Sequence, residues 1–296
     1  MKTPRLSIQA LSAISLRDSN KPVLRLVSLA VEPGEVHGLV GESGAGKSTV
    51  AKAILGIIPS QVKVTGGRIS FEGRDLLSLP PKELRALLGR DIALVPQDPS
   101  TALNPARRID AQMTDGLRLK RGLSAREARL RAGALLEEVQ IRDPERVLRS
   151  YPHQLSGGMR QRVLIAAAFG LEPKLVIADE PTTALDVTVQ KQILRLIRSL
   201  QERHGTSVLF VSHDLGVVAK ICDRVTVLYM GRVMEQGATA DVLERPTHAY
   251  TKALLAASPR YDQPDTGLEP TPPEVIAALR SEIAAFDLKA AEAGDG

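Results

Sequence analysis

Hydrophobic positions recur along this chain at two spacings, and the switch between them marks out the elements. Residues 5–16 alternate apolar with polar, placing Leu6 and Ile8 and later Ile14 and Leu16 on one face. Residues 23–31 do so again through Val23, Leu24, Leu26, Leu29 and Val31. Both spans are expected as half-buried strands. The runs at 36–40, 91–97, 174–180 and 207–212 are apolar without alternation, as strands covered on both faces are. Val62-Val64 and Arg68-Phe71, ahead of Glu72-Gly73, predict a hairpin, and 225–230 with 232–235 predict a strand pair around Gly231.

Helical spacing takes over in between. Val50-Ala51-Lys52-Ala53-Ile54-Leu55 follows the 36–40 strand, Pro80-Pro81 opens a second helix, and 105–170 is helical and Arg-rich with no strand candidate. Asp186 stands at the cap of a helix with Val189, Ile193, Leu196, Ile197 and Leu200 on one face. Near the end, a short helix runs through Leu255 and a Pro-rich linker covers 259–273. Thr271-Pro272-Pro273-Glu274 has capping-box spacing. Val275, Ile276, Leu279, Ile283 and Phe286 then share a helical face, with 289–296 expected to fray. Strands alternating with helices predict an α/β core with a mostly parallel sheet, a small antiparallel layer beside it and a separate helical lobe.

Composition narrows the partners only a little. The 296 residues are 43% hydrophobic, enough for a substantial core, and carry a formal charge of +5. That balance suits anionic ligands, nucleic acid or an anionic membrane surface and does not choose among them. A single cysteine, Cys222, excludes an internal disulfide or a Cys-rich metal site. No apolar run reaches the ~18 residues that span a bilayer, and the N-terminus lacks the apolar core of a signal peptide. The chain is expected to be cytoplasmic, with any membrane role supplied by partners.

The chemistry concentrates where strands end. Gly41-Glu42-Ser43-Gly44-Ala45-Gly46-Lys47-Ser48-Thr49 fits G-x-x-x-x-G-K-[ST] between a strand and a helix, the context that makes it a phosphate-binding loop. Glycines let consecutive N–H groups face one anion, the helix start adds its dipole, Lys47 adds a charge, and the Ser48 hydroxyl suits Mg²⁺. Asp179 and Glu180 close one apolar strand, and His213 and Asp214 close another, at the edge where ligands sit in α/β sheets. Leu155-Ser156-Gly157-Gly158-Met159 starts a helix with a serine cap and exposed backbone, a second place for an anion. Taken singly, Ser156 and Asp186 are ordinary caps, His213 an ordinary strand-end hydrogen bonder, and Gln97 uninformative. Their order along the chain is what carries meaning.

In that order they resemble the ATP-binding cassette (ABC) ATPases over roughly residues 5–258. The resemblance rests on the loop at 41–49, Gln97, the signature 155–159, the 175–180 acidic strand end, Ala184-Leu185-Asp186 and the switch residue His213. It implies a P-loop NTPase core with mostly parallel sheet, a small antiparallel β layer and a helical subdomain at about 98–170. Residues 1–258 would form the cassette, and 259–296 a linker and short C-terminal helical extension. It further implies ATP and Mg²⁺ as ligands. Residues 41–49 would cradle the phosphates, with Ser48, Gln97 and Asp179 at Mg²⁺. Glu180 would orient the attacking water, and His213 would meet the γ-phosphate. Ser156, Gly157 and Gly158, with Asp186 beside them, would close on ATP held by a second cassette. Met159 replaces the usual glutamine, and Leu16 or Arg17 stands where an adenine-stacking aromatic is usual.

The runs 177–190 and 212–218 resemble the dipeptide/oligopeptide/nickel importer subfamily. So does His248-Ala249-Tyr250-Thr251-Lys252-Ala253-Leu254-Leu255, while the cysteine cluster many members carry beyond it is missing. That likeness implies ATP-driven peptide import at the cytoplasmic face of the inner membrane. Its partners would be two transmembrane permeases, a second, related ABC ATPase subunit and an extracytoplasmic substrate-binding protein. Import of nickel or another small solute is the alternative. A soluble cassette protein working on nucleic acid or ribosomes and a regulatory module without turnover are the remoter ones; nucleic acid is not expected as a partner. Arg107, Arg108, Arg118 and Arg121 stand open either to permeases and acidic lipid or to plain solvation.

Overall fold

The computed structural model describes residues 3–183, 185–257 and 272–294, with side chains through 289. In chain order the elements are β1 (Leu6–Ser15), β2 (Lys21–Val31), β3 (Val36–Val40), α1 (Lys47–Ile54), β4 (Val62–Phe71) and β5 (Arg74–Asp75). Next come α2 (Pro81–Leu87), β6 (Ile92–Val95), α3 (Pro99–Ala102), α4 (Ile109–Arg121), α5 (Ala125–Glu138), α6 (Pro144–Arg149) and α7 (Gly157–Gly170). Then follow β7 (Leu175–Asp179), α8 (Val187–His204), β8 (Ser207–Ser212), α9 (Leu215–Ile221), β9 (Arg224–Tyr229) and β10 (Arg232–Ala238). The described chain closes with α10 (Thr239–Glu244), α11 (Ala249–Ala256) and α12 (Pro273–Gly294).

Two compact units divide these elements. One contains the residues through Val31, Val36–Leu77 and those from Val211; the other contains Glu32–Glu35 and Ser78–Phe210. In the first, β1 pairs antiparallel with both β2 and β4. The same unit holds β3 parallel to β9, with β10 antiparallel beyond it. All five residues of β3 are buried, including His37, whose ring shares a 2.8 Å hydrogen bond with Thr226. In the second unit β6 runs parallel to β7. There α4 to α7 gather Ile109, Met113, Leu117, Ala132, Leu135, Leu136, Val147 and Val163 into a core of their own.

The structure corrects the strand reading in three places. Ala10 and Leu26 adopt positive φ, 49° and 50°, and the β1–β2 register slips between Ile8 and Leu11. A one-residue bulge reverses which side chains face inward. Leu11 and Ala13 are therefore buried in place of Ile14 and Leu16, and Leu26 is turned out while Val27 is buried. Residues 62–71 form one strand along β1, not a hairpin; the turn is at Glu72-Gly73, which joins β4 to the two-residue β5. The C-terminal helix also runs further than expected, to residue 294, with Leu279 and Ile283 buried on the predicted face. Thr271 and most of the 259–273 linker lie outside the described residues.

Candidate functional site

The phosphate loop belongs to the first unit, where the close of β3 passes directly into α1. Gly46 is the N-cap and has no side chain to take up the first-turn N–H groups of Lys47, Ser48 and Thr49. Lys47 is 4% exposed, and its ammonium donates to the Gly41 and Glu42 carbonyls at 2.7 and 2.9 Å. The loop is thus wound around its own cation, with Ser43 and Gly44 exposed at its crest and Ala45 buried beneath. Helix-start donors, a fixed ammonium and an open crest are what a polyphosphate requires. His213 stands exposed in the same unit just past β8, beside the Asp214 that caps α9 by accepting from Val217 N–H at 3.1 Å.

Tyr250 is a contributor that the motifs did not reveal. Its hydroxyl accepts a hydrogen bond from Glu42 N–H at 3.3 Å, and its ring packs 4.5 Å from that of Tyr229. Burial first, then the Glu42 carboxylate, raise its phenol well above the ordinary 10.0. The unfolded chain releases this proton near pH 10 while the folded chain keeps it. Stability present below that pH therefore falls as pH rises beyond it. Tyr250→Phe should flatten the fall, read by denaturant titrations from about pH 8 to about pH 11. An equal slope in both proteins would contradict the assignment.

The second unit holds an acidic cluster of its own. Glu180 follows β7 with a φ of +46°, uncommon for a residue with a side chain and typical of sites where the surroundings enforce a conformation. Its Oε2 accepts from Gln97 Nε2 at 3.2 Å and from Thr183 Oγ1 at 3.0 Å. Thr183 N–H also closes a turn onto the Glu180 carbonyl at 3.2 Å. The structure therefore brings Gln97 and Glu180 together across 83 residues, with half-buried Asp179 one step before. Thr183 is a partner that the sequence reading overlooked, since a threonine in a Thr-Thr pair carries no signal of its own.

Ser156 and Asp186 cap separate helices. Ser156 accepts from Met159 N–H at 3.3 Å at the head of α7, and Asp186 from Val189 N–H at 2.9 Å at the head of α8. Gly157 is exposed and Gly158 half-buried against Val189. Arg160 Nε reaches back to the Pro152 and Leu155 carbonyls at 2.8 and 3.0 Å, fixing the approach to the serine. Ala184 lies outside the described residues.

Several arginines set aside as docking candidates have partners within the chain. Arg107 pairs with Asp115 at 2.6 Å, Arg121 donates to the Leu171 and Glu172 carbonyls, and Arg108 lies over the Tyr151 ring. Leu16 and Arg17 are both exposed. No described helix is long and apolar enough to cross a membrane. No cluster of three or more His, Cys, Asp or Glu among the described residues could hold a metal by itself. A divalent ion would rely on few protein ligands together with phosphate oxygens and water, as Mg²⁺ does.

The ABC transporter family matches residues 24–183, more than half of the chain, and the chain belongs to that family as a P-loop ATPase. Residues 234–283 match the oligopeptide/dipeptide transporter C-terminal region. A probable D,D-dipeptide transport ATP-binding protein of Escherichia coli (strain K12) is 51% identical over 89% of this chain and 81% of its own length. A dipeptide transport ATP-binding protein of Bacillus subtilis (strain 168) is 46% identical over 86% of this chain and 77% of its own. Among solved structures, a dimeric ATP-binding cassette in a post-hydrolysis state with ADP and Pi superposes with a TM-score of 0.70. It is 30% identical and covers 79% of this chain and 98% of that one. The expected fold, a P-loop core with a mostly parallel sheet, a small antiparallel β layer and a helical subdomain, is borne out.

Proposed function

We propose that this chain is the ATP-hydrolysing subunit of a peptide importer, bound peripherally at the cytoplasmic face of the inner membrane. The observation that carries the hydrolytic half is Glu180, held in a left-handed backbone conformation with its carboxylate gripped by Gln97 and Thr183. Phosphoryl transfer asks little covalent chemistry of a protein and much positioning, so a carboxylate fixed in one orientation suits a water that must attack in line. In this reading residues 41–49 bind the phosphates, and Ser48, Asp179 and Gln97 approach Mg²⁺. That ion would neutralise charge on the β- and γ-oxygens when bound. His213 holds the γ-phosphate. Ser156, Gly157, Gly158 and Asp186 serve the nucleotide of a second cassette. Leu16 and Arg17, in place of an aromatic ring, offer adenine an aliphatic and guanidinium surface.

Peptide as cargo is supported by the 234–283 match and by the peptide transport named in the relatives. Two permeases, a companion cassette and an extracytoplasmic binding protein would complete the machine. The test is purification of the tagged chain from membranes, followed by uptake of labelled di- and oligopeptides and of nickel in cells lacking it. Co-purifying permeases and loss of peptide uptake alone are expected. Loss of nickel uptake with peptide uptake intact would replace the cargo.

A further inference from the structure

Helix α12 is tied to β2 and β10 by two arginines. Asp287 makes a two-pronged ion pair with Arg25 of β2, Nε to Oδ1 at 2.7 Å and Nη2 to Oδ2 at 3.0 Å. Arg25 is 8% exposed, and its Nη1 donates onward to the Pro22 carbonyl at 3.1 Å and to the Met230 carbonyl. A second anchor lies just past the Met230-Gly231 turn that joins β9 to β10. Arg232 donates to Glu282 at 2.8 Å and sits 4.4 Å from the centre of the Phe286 ring. Arg25 thus holds the Met230-Gly231 turn, Arg232 follows it directly, and both hold the same helix. Phe286 and Asp287 lie beyond residue 283, where the match to the transporter C-terminal region ends.

That turn is one hydrogen bond from the phosphate loop. Arg25 N–H donates to the Gly231 carbonyl at 2.7 Å, and Gly231 N–H donates to the Ala45 carbonyl at 2.9 Å. A Cβ on Gly231 would fall 2.1 Å from the Val23 carbonyl oxygen, so β2 and the turn meet backbone to backbone. Segments packed this closely shift together, because a dense interior leaves no slack to absorb the movement of one.

We propose that α12 is a strap that positions the phosphate loop through Asp287, Arg25 and the Met230-Gly231 turn. Docking of the helix and occupancy of the loop then reinforce each other. Arg25 and Asp287 are positioning residues and touch no nucleotide. The proposal rests on the reading that residues 41–49 bind ATP. Arg25 is the buried member of the pair, so removing Asp287 leaves a buried guanidinium without its carboxylate, and Asp287 is the sensitive point. Coupling between sites is reciprocal: if the strap tightens ATP binding, ATP must tighten the strap.

The experiment measures the Kd for ATP in the wild type, Asp287→Ala and Asp287→Glu, and amide hydrogen exchange over 273–294 with and without ATP. The expected result is a Kd raised about 5-fold in Asp287→Ala and largely restored in Asp287→Glu, at the lower end of coupling between sites. ATP should slow exchange in α12 of the wild type but not of Asp287→Ala. A Kd in Asp287→Ala within about twofold of wild type, or α12 exchange indifferent to ATP, overturns the strap. Lys47→Ala separates the two readings: ATP binding that survives it removes the phosphate-loop assignment, whereas an unchanged Kd in Asp287→Ala removes only the strap.

Discussion

Glu180→Gln is expected to leave ATP binding intact while hydrolysis by the assembled transporter falls about 10²-fold or more, the loss that follows removal of a general base. Glutamine keeps the size of the side chain and one carbonyl oxygen, so the hydrogen bonds from Gln97 and Thr183 can persist. The backbone turn at φ +46°, closed by Thr183 N–H, does not involve the side chain at all. What disappears is the negative charge that draws and orients a water. Because the change is confined to the transition state, kcat should fall while nucleotide affinity holds. Single-turnover hydrolysis and equilibrium binding of a fluorescent ATP analogue separate the two. Turnover near the wild-type rate would remove Glu180 from the catalytic role, and lost binding would recast it as a structural residue.

Much of this site was legible in the sequence because its chemistry is local. A loop that must expose consecutive N–H groups needs its glycines at fixed spacing, so 41–49 announces itself, and Ser156 and Asp186 cap their helices as their positions foretold. The elements that escaped depend on contacts distant in the chain. Alternation in residues 5–16 gave the strand but the wrong inner face beyond Ala10, because a bulge is a local backbone choice that leaves the apolar pattern superficially intact. The break suspected between Val64 and Arg68 is absent because Gly66 and Gly67 lie within one strand along β1. Tyr250 meets Glu42 across 208 residues and Asp287 meets Arg25 across 262, separations at which no periodicity or spacing rule speaks. Thr183 sits inside a recognised motif, yet only the fold shows that its hydroxyl serves Glu180.

Gly41→Ala should be far more damaging than Gly44→Ala, although both alter a glycine of the same loop. Gly41 has a φ of +153°, and a Cβ there would lie 2.0 Å from the Leu228 carbonyl oxygen and 3.1 Å from its carbon. Both obstacles are backbone of β9, the parallel neighbour of β3, so no side-chain rotation relieves them. Gly44, at φ +82°, has nothing within 4 Å of the place a Cβ would take, and alanine there bears only the left-handed backbone penalty of about 1–2 kcal/mol. Gly41→Ala enters the class of backbone conflicts that cost about 4 kcal/mol or more. The damage reaches function directly, since the Gly41 carbonyl holds the Lys47 ammonium at 2.7 Å. Denaturant unfolding and ATP binding should therefore fail together in Gly41→Ala, while Gly44→Ala stays folded with a modest loss of stability. Equal melting of the two variants would mean that β9 yields at Leu228, and the loop would then owe its shape to its own turn residues instead of to the strand beneath it.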